Sequence, residues 1–234
     1  MIKAVLFDCG GVLTYPKGGY WPRSVDRDQI LGRELHIDLN KAALAMQKHG
    51  GILDEGQLIT GLGHELELRK RFLKKMNGEL DAGLNDSEIE QLAASLTYND
   101  ARYALYDDTK PMLDKFADRY KIGFLSNAMP SMVRALTNLG ITDRLSCFTV
   151  SCLENCQKPE ERIYRLALRE LGLEPGDCVF VEDLRENLLA ARRIGIHAIR
   201  MARPFYYAGS VPDFDWDGMT AHDLTEAYEL AGTL

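Results

Sequence analysis

The 234-residue chain is 46% hydrophobic and 27% charged, with 28 basic against 35 acidic side chains and a formal net charge of −7. A chain of this length buries a core without staples and reads as one large domain, or one domain carrying an insertion; its composition is neither fibrous nor disordered. The acid excess argues against a nucleic-acid footprint, which needs a basic face, no apolar run is long enough for a membrane span, and five cysteines, an odd number in a chain too long to need disulfides, predict a reducing, cytoplasmic setting.

The first apolar run, IKAVLF at 2–7, reads as a buried strand. From 15 to 100 no convincing strand follows. That stretch is rich in Leu, Lys and Glu, with amphipathic helices predicted over 58–76 and 86–96, the second opened by Asp86 or Ser87 as N-cap with Glu90 completing a box-like start. Beyond about 110, buried strands at 121–125 (KIGFL), 147–150 (CFTV), 178–181 (CVFV) and 197–200 (HAIR) alternate with helices. One helix runs from Pro130 to Gly140, one from Pro159 to Gly172, and a third ends at Gly195, with Pro at the start and Gly past the end. Ile163, Leu166, Ala167 and Leu171 form an apolar stripe on the second. The aromatic tail (Phe205, Tyr206, Tyr207, Phe214, Trp216) is expected to cover a sheet edge before a last helix at 221–231. Strands joined by single helices make βαβ units, so the fold class is α/β: a doubly wound parallel sheet formed by 1–14 and 101–234, with a helical module, 15–100, inserted after the first strand.

In such a sheet, ligands bind beyond the carboxyl ends of the strands. The first strand is followed by Asp8-Cys9-Gly10-Gly11, a carboxylate and two glycines that let the backbone turn close to a ligand. The second ends in Ser126-Asn127 at a helix N-terminus, which favours anions. Lys158 stands before the Pro159 helix, and Glu182-Asp183 follows VFV, with Asn187 further on. Taken singly, Ser126 and Asn127 read as helix caps, Lys158 as a surface lysine and Glu182-Asp183 as a solvated loop. Together they specify more. Carboxylates converging at buried strand ends repel and raise each other's pKa unless a cation sits between them, and Mg²⁺, which takes carboxylate and carbonyl oxygens, suits that place. With a hydroxyl, a helix N-terminus and a lysine added, the crevice suits a phosphate.

Asp8 in FDCGGVLT, Ser126 in FLSNA, Lys158 in QKPEERIY and Glu182-Asp183 in VFVEDLRENLLAARRIGI resemble the four ordered motifs of the haloacid dehalogenase-like hydrolases, and the inserted helical module resembles that family's cap. The resemblance implies a Mg²⁺-dependent phosphatase acting on a small phosphorylated metabolite, with neither nucleic acid nor membrane as partner. Asp8 would be the nucleophile that forms an aspartyl-phosphate. Ser126, Asn127 and Lys158 would bind the phosphoryl group. Asp183, Asp8 and the carbonyl of Gly10 would hold Mg²⁺, with Glu182 and Asn187 supporting them from behind or through water. The cap would close over the crevice and choose the substrate, around Lys48, His49, Gly50 and Gly51.

One position departs from the pattern. Most phosphatases of the family carry a second Asp two residues after the nucleophile, as acid and base; here that position is Gly10. Such help is typically worth about 10²–10⁴-fold. Its absence weakens a phosphomutase reading and leaves hydrolysis open to a leaving group of low pKa, a bound water or a residue such as Tyr15, Lys48 or His49. By resemblance, some members with Gly here are still treated as phosphatases. Two alternatives stay open: a metal-independent 2-haloacid dehalogenase, which also lacks that Asp but usually lacks the acidic pair, and a regulatory member that binds phosphorylated ligands with little catalysis. Other features are read plainly. Cys147, Cys152 and Cys156 lack a metal-site spacing, Cys9 packs as a small hydrophobe, His64-Glu65 has no second His, and no Walker, GxGxxG or GxSxG motif is present.

Overall fold

The computed structural model describes residues 1–17, 24–53, 58–203 and 214–234. Strand β1 (Ala4–Phe7) enters a tight loop and then β2 (Thr14–Pro16). Four helices follow: α1 (Arg27–Leu31), α2 (Leu39–His49), α3 (Leu62–Leu80) and α4 (Asp86–Tyr98). The chain returns through β3 (Tyr103–Leu105), antiparallel to β2. Then come α5 (Thr109–Ala117), β4 (Lys121–Ser126), α6 (Pro130–Asn138), β5 (Leu145–Val150), α7 (Ser151–Glu154), α8 (Glu161–Leu171), β6 (Cys178–Glu182), α9 (Arg185–Arg193), β7 (His197–Met201), β8 (Met219–Ala221) and α10 (Leu224–Ala231).

The main sheet has the order β5-β4-β1-β6-β7-β8, every pairing parallel. Burial on both faces explains why its central strands are continuous apolar runs rather than alternating ones. Successive side chains of β1 serve opposite layers. Val5 and Phe7 pack with Phe116 of α5 and Ala227 of α10, Phe7 meeting Phe116 edge to face at 5.0 Å. Ala4 and Leu6 pack with Ile163 and Ala167 of α8 and Ala191 of α9. Gly123 in β4 sits where a larger residue would crowd its neighbours: a Cβ there would lie 2.6 Å from the Leu6 side chain and 3.2 Å from that of Cys147, and one of them would have to shift.

All five predicted strands are present. The structure adds β8, at the end of the sheet beside β7, and the β2–β3 ribbon, so the expectation of no strand from 15 to 100 fails at Tyr15 and Pro16. Three residues carry no readable period, and β2 owes its strand geometry to Tyr103–Leu105, far along the chain. Helices α1, α2 and α5 were also not predicted. The inserted helices share an apolar cluster of their own, in which Phe72, Leu73 and Met76 of α3 meet Leu92 and Ala93 of α4 and Ala45 of α2. The cap of α4 is Asn85, not Asp86 or Ser87; Asn85 and Glu88 exchange bonds with each other's backbone, so the acid that closes the box is Glu88, two residues ahead of the expected Glu90. On α8 the buried stripe is Ile163, Tyr164, Ala167, Leu168 and Leu171, whereas Leu166 is only partly buried. Of the aromatic tail, Phe205, Tyr206 and Tyr207 lie outside the described residues. Phe214 lies 4.1 Å from the Arg200 guanidinium and Trp216 5.0 Å from that of Arg192, with the indole donating to the Met219 carbonyl. The last helix starts at Leu224, three residues later than expected, because Asp223 caps it through Glu226 N.

Candidate active site

From β1 the chain builds outward through β4 and β5, then returns to the other side of β1 for β6, β7 and β8. Strand order therefore reverses at β1, and the ligand crevice of a doubly wound sheet falls at that reversal. Phe7 is in register with Phe124 and with Val181, so Asp8, Ser126 and Glu182 emerge side by side at the carboxyl ends of three adjacent strands. Asp8 N donates to the Val181 carbonyl at 3.0 Å, which fixes the first residue beyond the strand. After it the chain folds back tightly. Leu13 N and Thr14 N both reach the Cys9 carbonyl, and Gly11 N reaches the Thr14 carbonyl at 2.8 Å. Gly11 has φ +78°, a conformation open to glycine at little cost. Cys9 packs into the apolar layer below, as expected, and burial pushes its thiol far up.

Lys158 arrives on the loop between α7 and α8, and the Asn127 carboxamide grips its main chain from both sides. Lys158 N donates to Asn127 Oδ1 at 2.8 Å, and Asn127 Nδ2 donates to the Lys158 carbonyl at 3.0 Å. The Asn127 side chain, expected against a phosphoryl group, is thus spent on placing the lysine. Lys158 is 4% exposed, and its Nζ lies 2.7 Å from Asp8 Oδ1 and 2.6 Å from Glu182 Oε2. Ser126 Oγ donates to the same Asp8 oxygen at 2.8 Å. Among the described residues no hydrogen bond reaches Asp8 Oδ2, so two donors orient the carboxylate through one oxygen and leave the other available.

Glu182 is occupied on all sides. Its Oε1 accepts from Asp183 N at 2.9 Å and Leu184 N at 3.0 Å, and its Oε2 accepts from Lys158 and from Asn187 Nδ2 at 2.9 Å. Burial pushes the Glu182 carboxyl up, but the Lys158 charge and these donors outweigh it and hold the group below its ordinary range. Asn187 is fixed in turn by Tyr164, whose hydroxyl donates to the Asn187 carbonyl at 3.0 Å. Tyr164 was missed in the sequence, where its only signal is a tyrosine inside the apolar stripe of α8.

The other two carboxyls behave differently. Burial raises Asp8 to about 6, with Lys158 opposing and the Glu182 charge adding to it. Burial, a hydrogen bond to Glu182 and the charges of Glu182 and Asp8 push Asp183 up to about 10. Carboxylate oxygens of Asp8, Glu182 and Asp183 come within 4.8 Å of one another, all three residues buried. Three acids with one ammonium between them form a site of unbalanced negative charge. Of the side chains considered as replacement acids, Lys48 and His49 both pair with Glu79 of α3, at 2.8 and 3.2 Å, and Tyr15 packs its ring 5.1 Å from that of Tyr106. At Gly10 a Cβ would meet nothing within 4 Å.

The sequence pattern of the haloacid dehalogenase-like hydrolases matches residues 2–195. Acyl-CoA dehydrogenase family member 10 of Mus musculus is 46% identical over 54 residues, which is 23% of this chain and 5% of that protein. Glyceraldehyde 3-phosphate phosphatase of Methanopyrus kandleri is 28% identical over 237 residues, covering 93% of this chain and 94% of its own. The chain thus spans anything from a twentieth to nearly all of the curated relatives it matches, and these include phosphatases and 2-haloacid dehalogenases alike. The fold is shared with the solved L-2-haloacid dehalogenase PA0810, at TM-score 0.70 and 21% identity over 98% of this chain and 99% of that one. With the family pattern running over most of its length and the four strand-end motifs gathered in one crevice, the chain belongs to the haloacid dehalogenase-like hydrolases.

Proposed function

We propose that this hydrolase is a Mg²⁺-dependent phosphatase that cleaves a small phosphorylated metabolite through an aspartyl-phosphate on Asp8. The observation that carries the reading is the charge imbalance of the crevice. Glu182 has its donors and stays ionised, whereas Asp183, facing Asp8 and Glu182, is pushed up to about 10 because burial and those two acids outweigh the Lys158 charge. A hard, oxygen-preferring cation fits that donor set. Asp8, Asp183 and the Gly10 carbonyl would hold it, and Mg²⁺ bound there would offset charge on the phosphoryl oxygens.

The chain's own residues supply the rest. Ser126 and Lys158 hold Asp8 Oδ1, leaving Oδ2 to attack phosphorus. The new bond joins Oδ2 to phosphorus as the bond from phosphorus to the ester oxygen breaks. Water then attacks the same phosphorus and releases inorganic phosphate, returning the Asp8 carboxylate. Lys158 offsets charge on nucleophile and phosphoryl group in both steps, the kind of prearranged electrostatics that phosphoryl transfer relies on. Gly10 offers no proton, so the leaving alcohol or acid must be of low pKa or draw its proton from water or substrate. Residues 15–100 serve as the cap over the catalytic core of 1–14 and 101–234, and choose the substrate. Five free, buried cysteines suit a cytoplasmic protein, and no helix of the described residues is long and apolar enough to cross a membrane.

A second reading has support of its own: 2-haloacid hydrolysis, in which Asp8 attacks carbon and displaces halide without metal. Gly10 and the 2-haloacid dehalogenases among its curated relatives favour it. One experiment separates the two. Hydrolysis of 4-nitrophenyl phosphate and of an L-2-haloacid is measured with Mg²⁺ and with chelator. Phosphate release that needs Mg²⁺ supports the phosphatase; halide release that survives chelation overturns it. Turnover of neither, with Mg²⁺-dependent binding of a phosphorylated ligand retained, points to a regulatory member.

A further inference from the structure

Helix α6 begins four residues after Ser126, and nothing in its own sequence caps it. Its N-cap is Met129, which has no side-chain acceptor, and its first residue is Pro130, which has no N–H. The first donor at this N-terminus is therefore Ser131, and its partner comes from the inserted helical segment. Glu65 of α3, with 0% of its surface exposed, accepts from Ser131 N at 2.8 Å through Oε2 and from Ser131 Oγ at 2.6 Å through Oε1. Arg69, one turn along α3 and also buried, donates Nε to Glu65 Oε1 at 2.7 Å and balances its charge. Tyr103 OH lies 3.3 Å from Ser131 Oγ on the other side. A buried carboxylate at a helix N-terminus gains from the helix dipole as well as from the two donors.

The seam around this contact is apolar and continuous. Ile59 and Leu68 of the inserted segment pack with Ala128, Met129, Val150 and Cys152. The segment from Ser126 to Ser131 is thus held at both ends and in between. Ser126 holds Asp8, Asn127 grips Lys158, Ala128 N donates to Ser151 Oγ at 3.0 Å, and Ser131 N donates to Glu65. The catalytic end of this segment is fixed by core residues, and its far end is fixed by the inserted module.

We propose that Glu65 is a positioning residue: by capping α6 from outside the core, it fixes the loop that sets Ser126 against Asp8 and Asn127 against Lys158. The docking of the helical module is thereby read directly into the alignment of the nucleophile. Its kinetic consequence rests on the phosphatase reading; its structural consequence does not.

The test uses two double variants of the full chain, because removing Glu65 alone would strand the buried Arg69. Glu65→Gln/Arg69→Met keeps an acceptor for Ser131 without the ion pair. Glu65→Met/Arg69→Met removes acceptor and ion pair together, and replacing a buried ion pair with apolar side chains of similar volume is often neutral for stability. Hydrogen exchange read by mass spectrometry should show amides 131–136 exchanging about 10- to 100-fold faster in the Met/Met variant and close to wild type in the Gln/Met variant, with α8 unchanged in both. With 4-nitrophenyl phosphate and Mg²⁺, kcat should fall by about 10- to 100-fold in the Met/Met variant at little change in KM, because misalignment acts on the chemical step. Equal exchange of α6 in the two variants, or a change in melting temperature alone, overturns the proposal. If the wild type releases no phosphate, the phosphatase reading fails and the exchange comparison alone decides the role of Glu65.

Discussion

Lys158 and Glu182 form a buried ion pair, with 2.6 Å between Nζ and Oε2, and the same ammonium lies 2.7 Å from Asp8. One cation serves two carboxylates, so Glu182 sets where Lys158 sits, and Lys158 sets which oxygen of Asp8 is engaged. Replacing Lys158 by Met leaves two carboxylates facing each other out of water. Breaking a buried pair in this way typically costs about 3–5 kcal/mol, and losing a prearranged charge at the reacting group costs about 10²–10³ in kcat. We expect Lys158→Met to lose both, and Lys158→Met/Glu182→Gln to recover much of the stability but none of the activity. Thermal melts alongside phosphate release check this.

Asp8→Asn keeps the size of the side chain and its contact with Ser126 but removes the carboxylate proposed to attack phosphorus. Phosphate release should fall to background while the melting transition stays cooperative. Activity retained in Asp8→Asn would require a different nucleophile.

Asp183 links the site to stability. Its carboxyl titrates near 3.8 when exposed and near 10 in the folded chain, so between those values the folded state holds the extra proton. Stability without metal therefore falls as pH rises across that window. Asp8, raised to about 6, adds a loss of the same sign at the acid end, whereas Glu182, held low, acts in the opposite direction only near its own lower range. Asp183→Asn removes the largest loss. In chelator at pH 8 the variant should melt above the wild type, by roughly 2–4 °C per kcal/mol gained. The gap should narrow toward pH 5, and excess Mg²⁺ should raise only the wild type. A variant less stable than wild type at pH 8 in chelator would contradict this account.

Gly10 is open to a larger residue, since a Cβ there meets nothing within 4 Å. Gly10→Asp should fold normally and supply the missing proton donor. For alkyl phosphates, whose leaving groups need protonation, kcat should rise by as much as about 10²-fold, the lower end of general acid help. For 4-nitrophenyl phosphate, which leaves as a stable anion, little change is expected. The ratio of the two rates is the measurement.

Much of the core was legible because parallel strands buried on both faces must be apolar throughout, and the helices between them end at glycines. Gly172, with φ +66°, follows the last residue of α8, as the stop signal predicts. The short ribbon β2–β3 and the true cap of α4 were not legible. Pairing across some ninety residues leaves no local period, and Asn85 differs from its neighbours Asp86 and Ser87 only in where its backbone turns. The candidate site followed the same division. Asp8, Ser126, Lys158 and Glu182-Asp183 could be marked as strand-end groups, but not which atoms would meet.

The sequence by itself determined the strand ends and the chemistry they carry, because apolar periodicity and punctuation are local properties of the chain. Only the tertiary structure decided how that chemistry is shared out. Strand order places β1 between β4 and β6, so Ser126 and Glu182 flank Asp8. The Asn127 carboxamide turns to the Lys158 backbone, and Glu182 is consumed by four donors while Asp183 is left facing the other acids. The burial that makes these contacts strong is a property of the packed layers, absent from any segment alone, and it separates one carboxyl that stays charged from two that resist ionising.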